Sequence, residues 1–367
     1  MAEITPILMP KWGLSMREGK LAAWHVAEGA TITPGDEIMD VETDKIANAV
    51  EAADGGLLRR RVGVEGETYP VRALLGVMAP EAVSDAEVDA YVAAYEAPAA
   101  AGDEGEEGPS YEFAELPAGR IRYAVRPGEG MPLVLIHGFG GDLDNWLFNI
   151  DALAEGGPVY ALDLPGHGQS VKSARPAGLG LLADTVVAFM DHLGLERAHL
   201  AGHSMGGLVA ATVAVRAPER AASVTLICPA GLGSEINAGY IDGFVKASGR
   251  KDLKPALMHL FKDQSLVSRA MVDDLLKYKR LDGVQAFLTE LAGNLFANGA
   301  QAEQVAEALA ASGVPAQVIW GEADAIIPPA HAGNLKGAAT HVIPDAGHMV
   351  QMEKSSEVNR LIRDFIA

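Results

Sequence analysis

Cysteine is nearly absent from this chain. Cys228 is the sole thiol among 367 residues, so no internal disulfide can form and a reducing compartment is the simple expectation. It closes an apolar run beginning at Val224 and reads as a buried, inert thiol. Basic charge is also scarce: 29 Lys and Arg stand against 49 Asp and Glu, a formal net charge of −20. Such an excess argues against nucleic acid or an anionic membrane as a general partner. No apolar run approaches the roughly 20 residues that span a bilayer. The opening residues, MAEITPILMPKWG, lack the charged start and apolar stretch of a secretory signal. A soluble, cytoplasmic protein is expected, and no metal site.

What is present suffices for two cores. Hydrophobic residues make up 49% of the chain and charged residues 21%, and the length suits one small domain and one of about 250 residues. Residues 1–80 are short alternating segments broken by Gly, Pro and Asp, an all-β pattern. Glu28-Gly29-Ala30-Thr31 recurs as Glu65-Gly66-Glu67-Thr68, each followed by an apolar stretch, so two similar halves form a flattened, pseudo-symmetric barrel. Residues 81–110 hold nine acidic residues and no Lys or Arg and read as a linker, with a short helix allowed over 85–96. From 111 to 367, apolar strands at 133–136, 159–162, 198–202, 224–227 and 317–320 alternate with amphipathic helices such as 181–193 and 208–216. That rhythm predicts a mostly parallel sheet with helices on both faces. A helical cap interrupts it at about 234–305.

Lys45 stands in Glu42-Thr43-Asp44-Lys45-Ile46, where turn-forming Thr43 and Asp44 separate two strand-like runs. By itself this is an ordinary surface lysine on a polar turn. Its context, with Glu28-Gly29, Pro34-Gly35-Asp36 and the repeated half, resembles the lipoyl domains of 2-oxo acid dehydrogenase-type complexes. The resemblance covers residues 1–80. It implies lipoate in amide linkage to Lys45; Asp44 and Ile46 stand where biotin carriers usually have methionines.

Gly202-His203-Ser204-Met205-Gly206 follows an apolar strand and opens a helix, the setting in which Gly-x-Ser-x-Gly makes a nucleophile elbow. A serine hydroxyl needs a neighbouring base. His348, in a loop after a late strand, is the candidate; His137, His167, His203 and His341 are assigned other places. The acid that orients it is Asp324, with Glu322 as alternative, after the strand ending at Trp320. Backbone N–H groups of Met205 and of Phe139, in His137-Gly138-Phe139-Gly140-Gly141, form the oxyanion hole. The order Ser204, Asp324, His348 resembles the α/β-hydrolase family over roughly residues 115–367. The turn from Asp163 to Ser170 also matches that family and reads as structural.

The expected architecture is thus a lipoyl domain joined to an α/β-hydrolase fold with a helical cap. This layout resembles the acyltransferase components of acetoin dehydrogenase complexes. The resemblance implies transfer of acetyl from a lipoyl thioester to coenzyme A. It also implies two partner enzymes, a thiamine diphosphate-dependent acetoin-cleaving enzyme and a dihydrolipoyl dehydrogenase, around a homo-oligomeric core. Nine Lys and Arg against five Asp over 241–280 suggest Arg250, Lys251 and Lys254 as ligands of the coenzyme A phosphates, against solvated helix faces. The His-x-x-x-Asp-Gly motif of ordinary 2-oxo acid dehydrogenase acyltransferases is missing, as is their basic subunit-binding domain. Two other readings share these residues: an esterase or thioesterase that uses water, and a lipoyl carrier on a non-catalytic scaffold.

Overall fold

The chain divides into two units, Met1–Gly108 and Pro109–Ala367. The computed structural model describes residues 4–10, 12, 16–43, 47–95, 110–296 and 299–367. Lys45 and its neighbours Asp44 and Ile46 lie outside the described residues.

Among the described residues the first unit has eight strands: β1 (Thr5–Leu8), β2 (Glu18–Trp24), β3 (Thr31–Ile32), β4 (Glu37–Glu42), β5 (Ala47–Glu51), β6 (Gly56–Arg61), β7 (Thr68–Pro70) and β8 (Leu74–Met78). They form two four-stranded sheets, ordered β1-β8-β6-β3 and β5-β4-β2-β7. Alternation along β2 buries Leu21 and Trp24, which join Ile32, Met39, Val41, Leu58 and Leu75 in one core. The internal repeat is a physical duplication. Gly29 donates its N–H to Leu58 O and Gly66 donates to Leu21 O, both at 2.7 Å. Both glycines have positive φ, 86° and 89°. Glu28 accepts from Arg61 N and Glu65 accepts from Trp24 N. Each half thus closes on the other through the same pair of bonds.

Residues 81–95, inside the stretch read as linker, are folded. Helix α1 (Asp85–Ala94) starts in a capping box between Ser84 and Glu87. Its Val88 is fully buried against Leu74, Val77, Ala79 and Val83. Arg59 and Arg60 on β6 pair with Asp85 and Asp89. The acidic residues that suggested repulsion are partly spent on these arginines, which lie outside the stretch.

The second unit carries an eight-stranded sheet: β9 (Ser110–Leu116), β10 (Gly119–Arg126), β11 (Leu133–Ile136), β12 (Val159–Leu162), β13 (Ala198–His203), β14 (Ala221–Ile227), β15 (Ala316–Gly321) and β16 (Ala339–Ile343). Its order is β16-β15-β14-β13-β11-β12-β10-β9. β9, β10 and β12 pair antiparallel, and the other neighbours are parallel. The hairpin β9–β10 adds two strands before the first one expected at 133. The parallel strands end in register, with Ile136 opposite Gly202, Ile227 opposite Ile319 and Gly321 opposite Ile343. Loops after β11, β13, β15 and β16 therefore leave from one edge, where open α/β sheets collect functional groups.

Helices α2 (Ile150–Leu153), α3 (Leu179–His192), α4 (Met205–Arg216), α9 (Ala306–Ser312), α10 (Val350–Glu353) and α11 (Ser355–Ile366) accompany the sheet. The cap holds α5 (Ala238–Lys246), α6 (Arg250–Met258), α7 (Arg269–Lys279) and α8 (Val284–Leu295). A β-bridge between Glu235 and Ala300 closes its base. No helix among the described residues is long and apolar enough to cross a membrane.

Candidate active site

Ser204 sits between β13 and α4 with φ 53° and ψ −118°, a conformation that strains any side chain. The surroundings enforce it. Its N–H donates to Ile227 O at 2.9 Å, and its carbonyl accepts from Ala230 N at 3.0 Å. A Cβ on Gly202 would lie 2.1 Å from Gly206 O, and one on Gly206 would lie 2.2 Å from Ile136 O. Only glycine lets strand and helix pass this closely. The motif glycines are therefore spacing requirements of the elbow.

His348 donates from Nδ1 to Asp324 Oδ2 at 2.8 Å, and both side chains are almost fully buried. The other Asp324 oxygen accepts from Ile326 N and Ile327 N, at 2.8 and 3.0 Å. Burial pushes the Asp324 carboxyl up, but the facing His348, its hydrogen bond and the two N–H groups outweigh that and hold it below its ordinary value. Glu322, the alternative acid, is exposed. The loop carrying His348 is pinned on two sides: Glu353 accepts from Gly347 N at 2.7 Å, and His203 Nε2 donates to His348 O at 2.9 Å.

The competing histidines have other tasks. His137 donates from Nδ1 to Gly138 O and accepts from Leu164 N at Nε2; burial pushes it down to about 4. His167 bonds Pro165 O. His203 is pushed down to about 3, chiefly by burial, so it stays neutral at any ordinary pH. His341 lies on β16. Asp163 accepts from Leu143 N and Gln169 N while Ser170 Oγ donates to Asp163 O, the structural role expected of that turn.

The loop after β11 lies against the elbow, for a Cβ on Gly138 would be 3.2 Å from Ser204 Cβ. Phe139 follows it, packed edge-on against Phe244 of α5 and against Phe296, at 5.9 and 5.8 Å. Met205, the first residue of α4, has an N–H without an intrahelical acceptor. Cys228 is buried with φ 42°. Its sulfur lies within 4.8 Å of both an Asp324 oxygen and a His348 nitrogen. Burial, then the Asp324 charge, pushes that thiol far up, so it is a neutral neighbour. Sequence reasoning placed it in a core but not beside the acid and base.

Of the three cap cations, Arg250 forms a two-pronged pair with Asp273, whereas Lys251 and Lys254 are exposed on α6. Asp242 and Asp274 engage Lys246 and Lys277, and Lys279 is buried with its ammonium on Phe244 O and Val245 O. Much of the positive patch is neutralised on the spot. In the first unit, β4 and β5 pair down to Glu42 opposite Ala47.

An α/β-hydrolase unit with a serine elbow, following a small β carrier unit, defines the class. Residues 131–355 match the family model for the alpha/beta hydrolase fold, and residues 5–76 match that of the biotin-requiring enzymes. The fold is shared with a carboxylesterase from Bacillus subtilis, at a TM-score of 0.63 and 22% identity, covering 71% of this chain and 92% of that one.

Full-length relatives narrow the class. The chain is 55% identical over 361 residues to the dihydrolipoyllysine-residue acetyltransferase component of the acetoin cleaving system of Cupriavidus necator, covering 98% of this chain and 96% of the relative. It is 48% identical over 369 residues to the component of the same description from Pseudomonas putida, covering 100% and 99%. The chain belongs to this family of acetyltransferase components.

Proposed function

We propose that this chain moves an acetyl group from S-acetyl-dihydrolipoyl-lysine to coenzyme A within an acetoin-cleaving system, through Ser204, His348 and Asp324. The observation that carries the reading is the buried His348–Asp324 pair at the same sheet edge as the strained Ser204. Lipoate on Lys45 supplies, when present, an acyl thioester on a long arm.

In the acylation step Ser204 Oγ adds to the thioester carbonyl while His348 takes its proton. Asp324 keeps the imidazole in the tautomer that can accept and stabilises the cation that forms. The N–H groups of Phe139 and Met205 receive the charge on the carbonyl oxygen, a contribution of roughly 3–4 kcal/mol for one such donor. The thiol leaves with the proton from His348. Coenzyme A then adds to the acetyl-Ser204 ester with His348 again as base, and Ser204 is regenerated. Linking carrier and catalyst in one chain raises the local concentration of the acyl donor.

Assembly with a thiamine diphosphate-dependent acetoin-cleaving enzyme and a dihydrolipoyl dehydrogenase, around a homo-oligomeric core in the cytoplasm, completes the proposal. Lys251 and Lys254 are the proposed phosphate contacts of coenzyme A. Arg250 is the weaker member of that set, since Asp273 already occupies its guanidinium.

Mass spectrometry of the whole protein tests the route. The expected result is a lipoyl mass on Lys45 and, on loading with an acetyl donor without coenzyme A, an acetyl mass on Ser204. Ser204→Ala should abolish transfer and leave Lys45 lipoylated; normal turnover by that variant would rule out the covalent route. Acetyl-dihydrolipoamide consumed equally fast with and without coenzyme A would favour the hydrolytic reading.

A further inference from the structure

Asp324 Oδ2 has two donors. His348 Nδ1 reaches it at 2.8 Å and Trp320 Nε1 at 2.9 Å. We propose that Trp320 is a positioning residue for the catalytic pair: its indole N–H holds the carboxylate oxygen that faces His348 and shares that oxygen's charge. The inference rests on the triad reading above.

The two bonds at Oδ1 come from Ile326 and Ile327, within the same loop as Asp324. They fix the carboxylate to its loop but not to the sheet. Trp320 lies on β15 and is fully buried, so its bond ties Oδ2 to the rigid part of the fold. The indole is itself held in place. Its ring meets the His331 ring edge-on at 6.4 Å and 89°, and His331 Nε2 pairs with Glu235 Oε2 at 2.5 Å where the chain enters the cap. A buried indole needs one acceptor. Trp320 Nε1 shares its hydrogen between Ile327 O at 3.3 Å and Asp324 Oδ2 at 2.9 Å, and the shorter bond goes to the oxygen that orients the imidazole.

A donor on Oδ2 also draws charge from it. With that donor removed, the carboxylate becomes the stronger acceptor of the imidazole Nδ1–H and favours the protonated ring. Among the described residues, the other titratable groups beside the pair are Cys228, a neutral thiol, His203, a neutral imidazole, and Glu353, which accepts from Gly347 N. Glu235 and His331 stand behind the indole. None of these changes when the indole N–H is deleted.

The test uses the full lipoylated chain with two replacements at one position. Trp320→Phe removes the donor and part of the ring; 3-benzothienylalanine keeps the bicyclic shape with sulfur in place of N–H. Acetyl transfer from acetyl-dihydrolipoamide to coenzyme A is followed against pH, and the low-field proton resonance of His348 Nδ1–H is recorded. The expected result is a fall in kcat of about tenfold with KM for both substrates held within about twofold. The acid limb of kcat/KM moves to higher pH by about half a unit or more, and the low-field proton shifts. An unmoved acid limb and resonance in the benzothienylalanine protein would overturn the proposal, even if kcat fell. Asp324→Asn separates the two layers. Full activity in that variant would bring down the triad and this inference together. Its inactivity alongside an unmoved profile at position 320 would remove the inference alone.

Discussion

The two units reach stability by opposite means. In the β unit a small set of bonds is used twice: Gly29 to Leu58 mirrors Gly66 to Leu21, and Glu28 to Arg61 mirrors Glu65 to Trp24. In the α/β-hydrolase unit each bond near the site is used once and has no counterpart. A repeated β framework needs only to hold the pairing of its strands, such as β4 with β5. The proposed site must instead gather a serine, an imidazole and a carboxylate from three different loops. The difference teaches that a carrier tolerates local change, whereas the catalyst depends on close approaches that admit no extra atom.

The largest expected effect tests the single-use side of that contrast. Asp324→Asn keeps the shape but offers His348 an amide, and kcat should fall by roughly four orders of magnitude, as when the orienting acid of a serine triad is replaced. Glu322→Gln should leave kcat within about twofold, because Glu322 is exposed and Asp324 holds the His348 bond. Steady-state rates of acetyl transfer decide both. A large loss at Glu322 with little at Asp324 would reverse the assignment.

Next is a direct comparison of one substitution in both units. Gly202→Ala puts a methyl 2.1 Å from Gly206 O, so backbone must move. The hydrolase unit should lose more than about 3 kcal/mol or fail to fold. Gly29→Ala meets nothing within 4 Å and bears only its positive φ of 86°, a strain of about 1 kcal/mol. Calorimetry of the full chain reads both. Equal losses would break the contrast between a tolerant carrier and an intolerant elbow.

Acid should separate the units as well. His203, in the hydrolase unit, is buried and pushed down to about 3. The folded value of His203 lies below the ordinary 6.5, so the unfolded chain binds a proton that the native state refuses. Stability from this residue is complete above about pH 6.5 and is lost as pH falls toward 3. His203→Gln removes that titration and retains an amide donor for His348 O. Wild type should therefore lose stability relative to the variant as pH drops, by about 2 kcal/mol at pH 5. A difference that stays constant between pH 7 and pH 5 would mean that His203 takes up its proton without unfolding.

Much of this was legible in the sequence, for identifiable reasons. Buried parallel strands are continuous apolar runs, so β11 and β12 begin and end where expected. Gly202 and Gly206 are readable because the elbow demands glycine at those two places whatever the rest of the fold. Three features escaped. The hairpin β9–β10 mixes charged and apolar residues, and its buried Arg122 finds Asp163, 41 positions away, and the Tyr111 ring as partners. A short helix was allowed over 85–96, and α1 falls there, but its docking was masked by acidic composition, since its arginine partners lie on β6. Trp320 was visible as a strand end, but a bond between an indole and a carboxylate four residues later is set by loop geometry. Each omission is a contact that depends on tertiary structure, and no periodicity encodes it.

The smallest expected effect concerns the cap, where an acidic chain exposes Lys251 and Lys254 close to an arginine already paired with Asp273. Exposed lysines act on a phosphate through screened charge, so Lys251→Glu with Lys254→Glu should raise KM for coenzyme A by about five- to tenfold and leave kcat within about twofold. The effect should shrink as salt is raised from 0.05 to about 0.5 M. KM for acetyl-dihydrolipoamide should not change, because that donor carries no phosphate. Arg250→Ala should affect KM less than the lysine pair, since its guanidinium is engaged within the cap, and should instead lower the melting temperature of the unit. An unchanged KM in the double lysine variant would remove α6 from the phosphate site. A larger effect at Arg250 than at the lysines would mean that coenzyme A displaces Asp273 from the guanidinium when it binds.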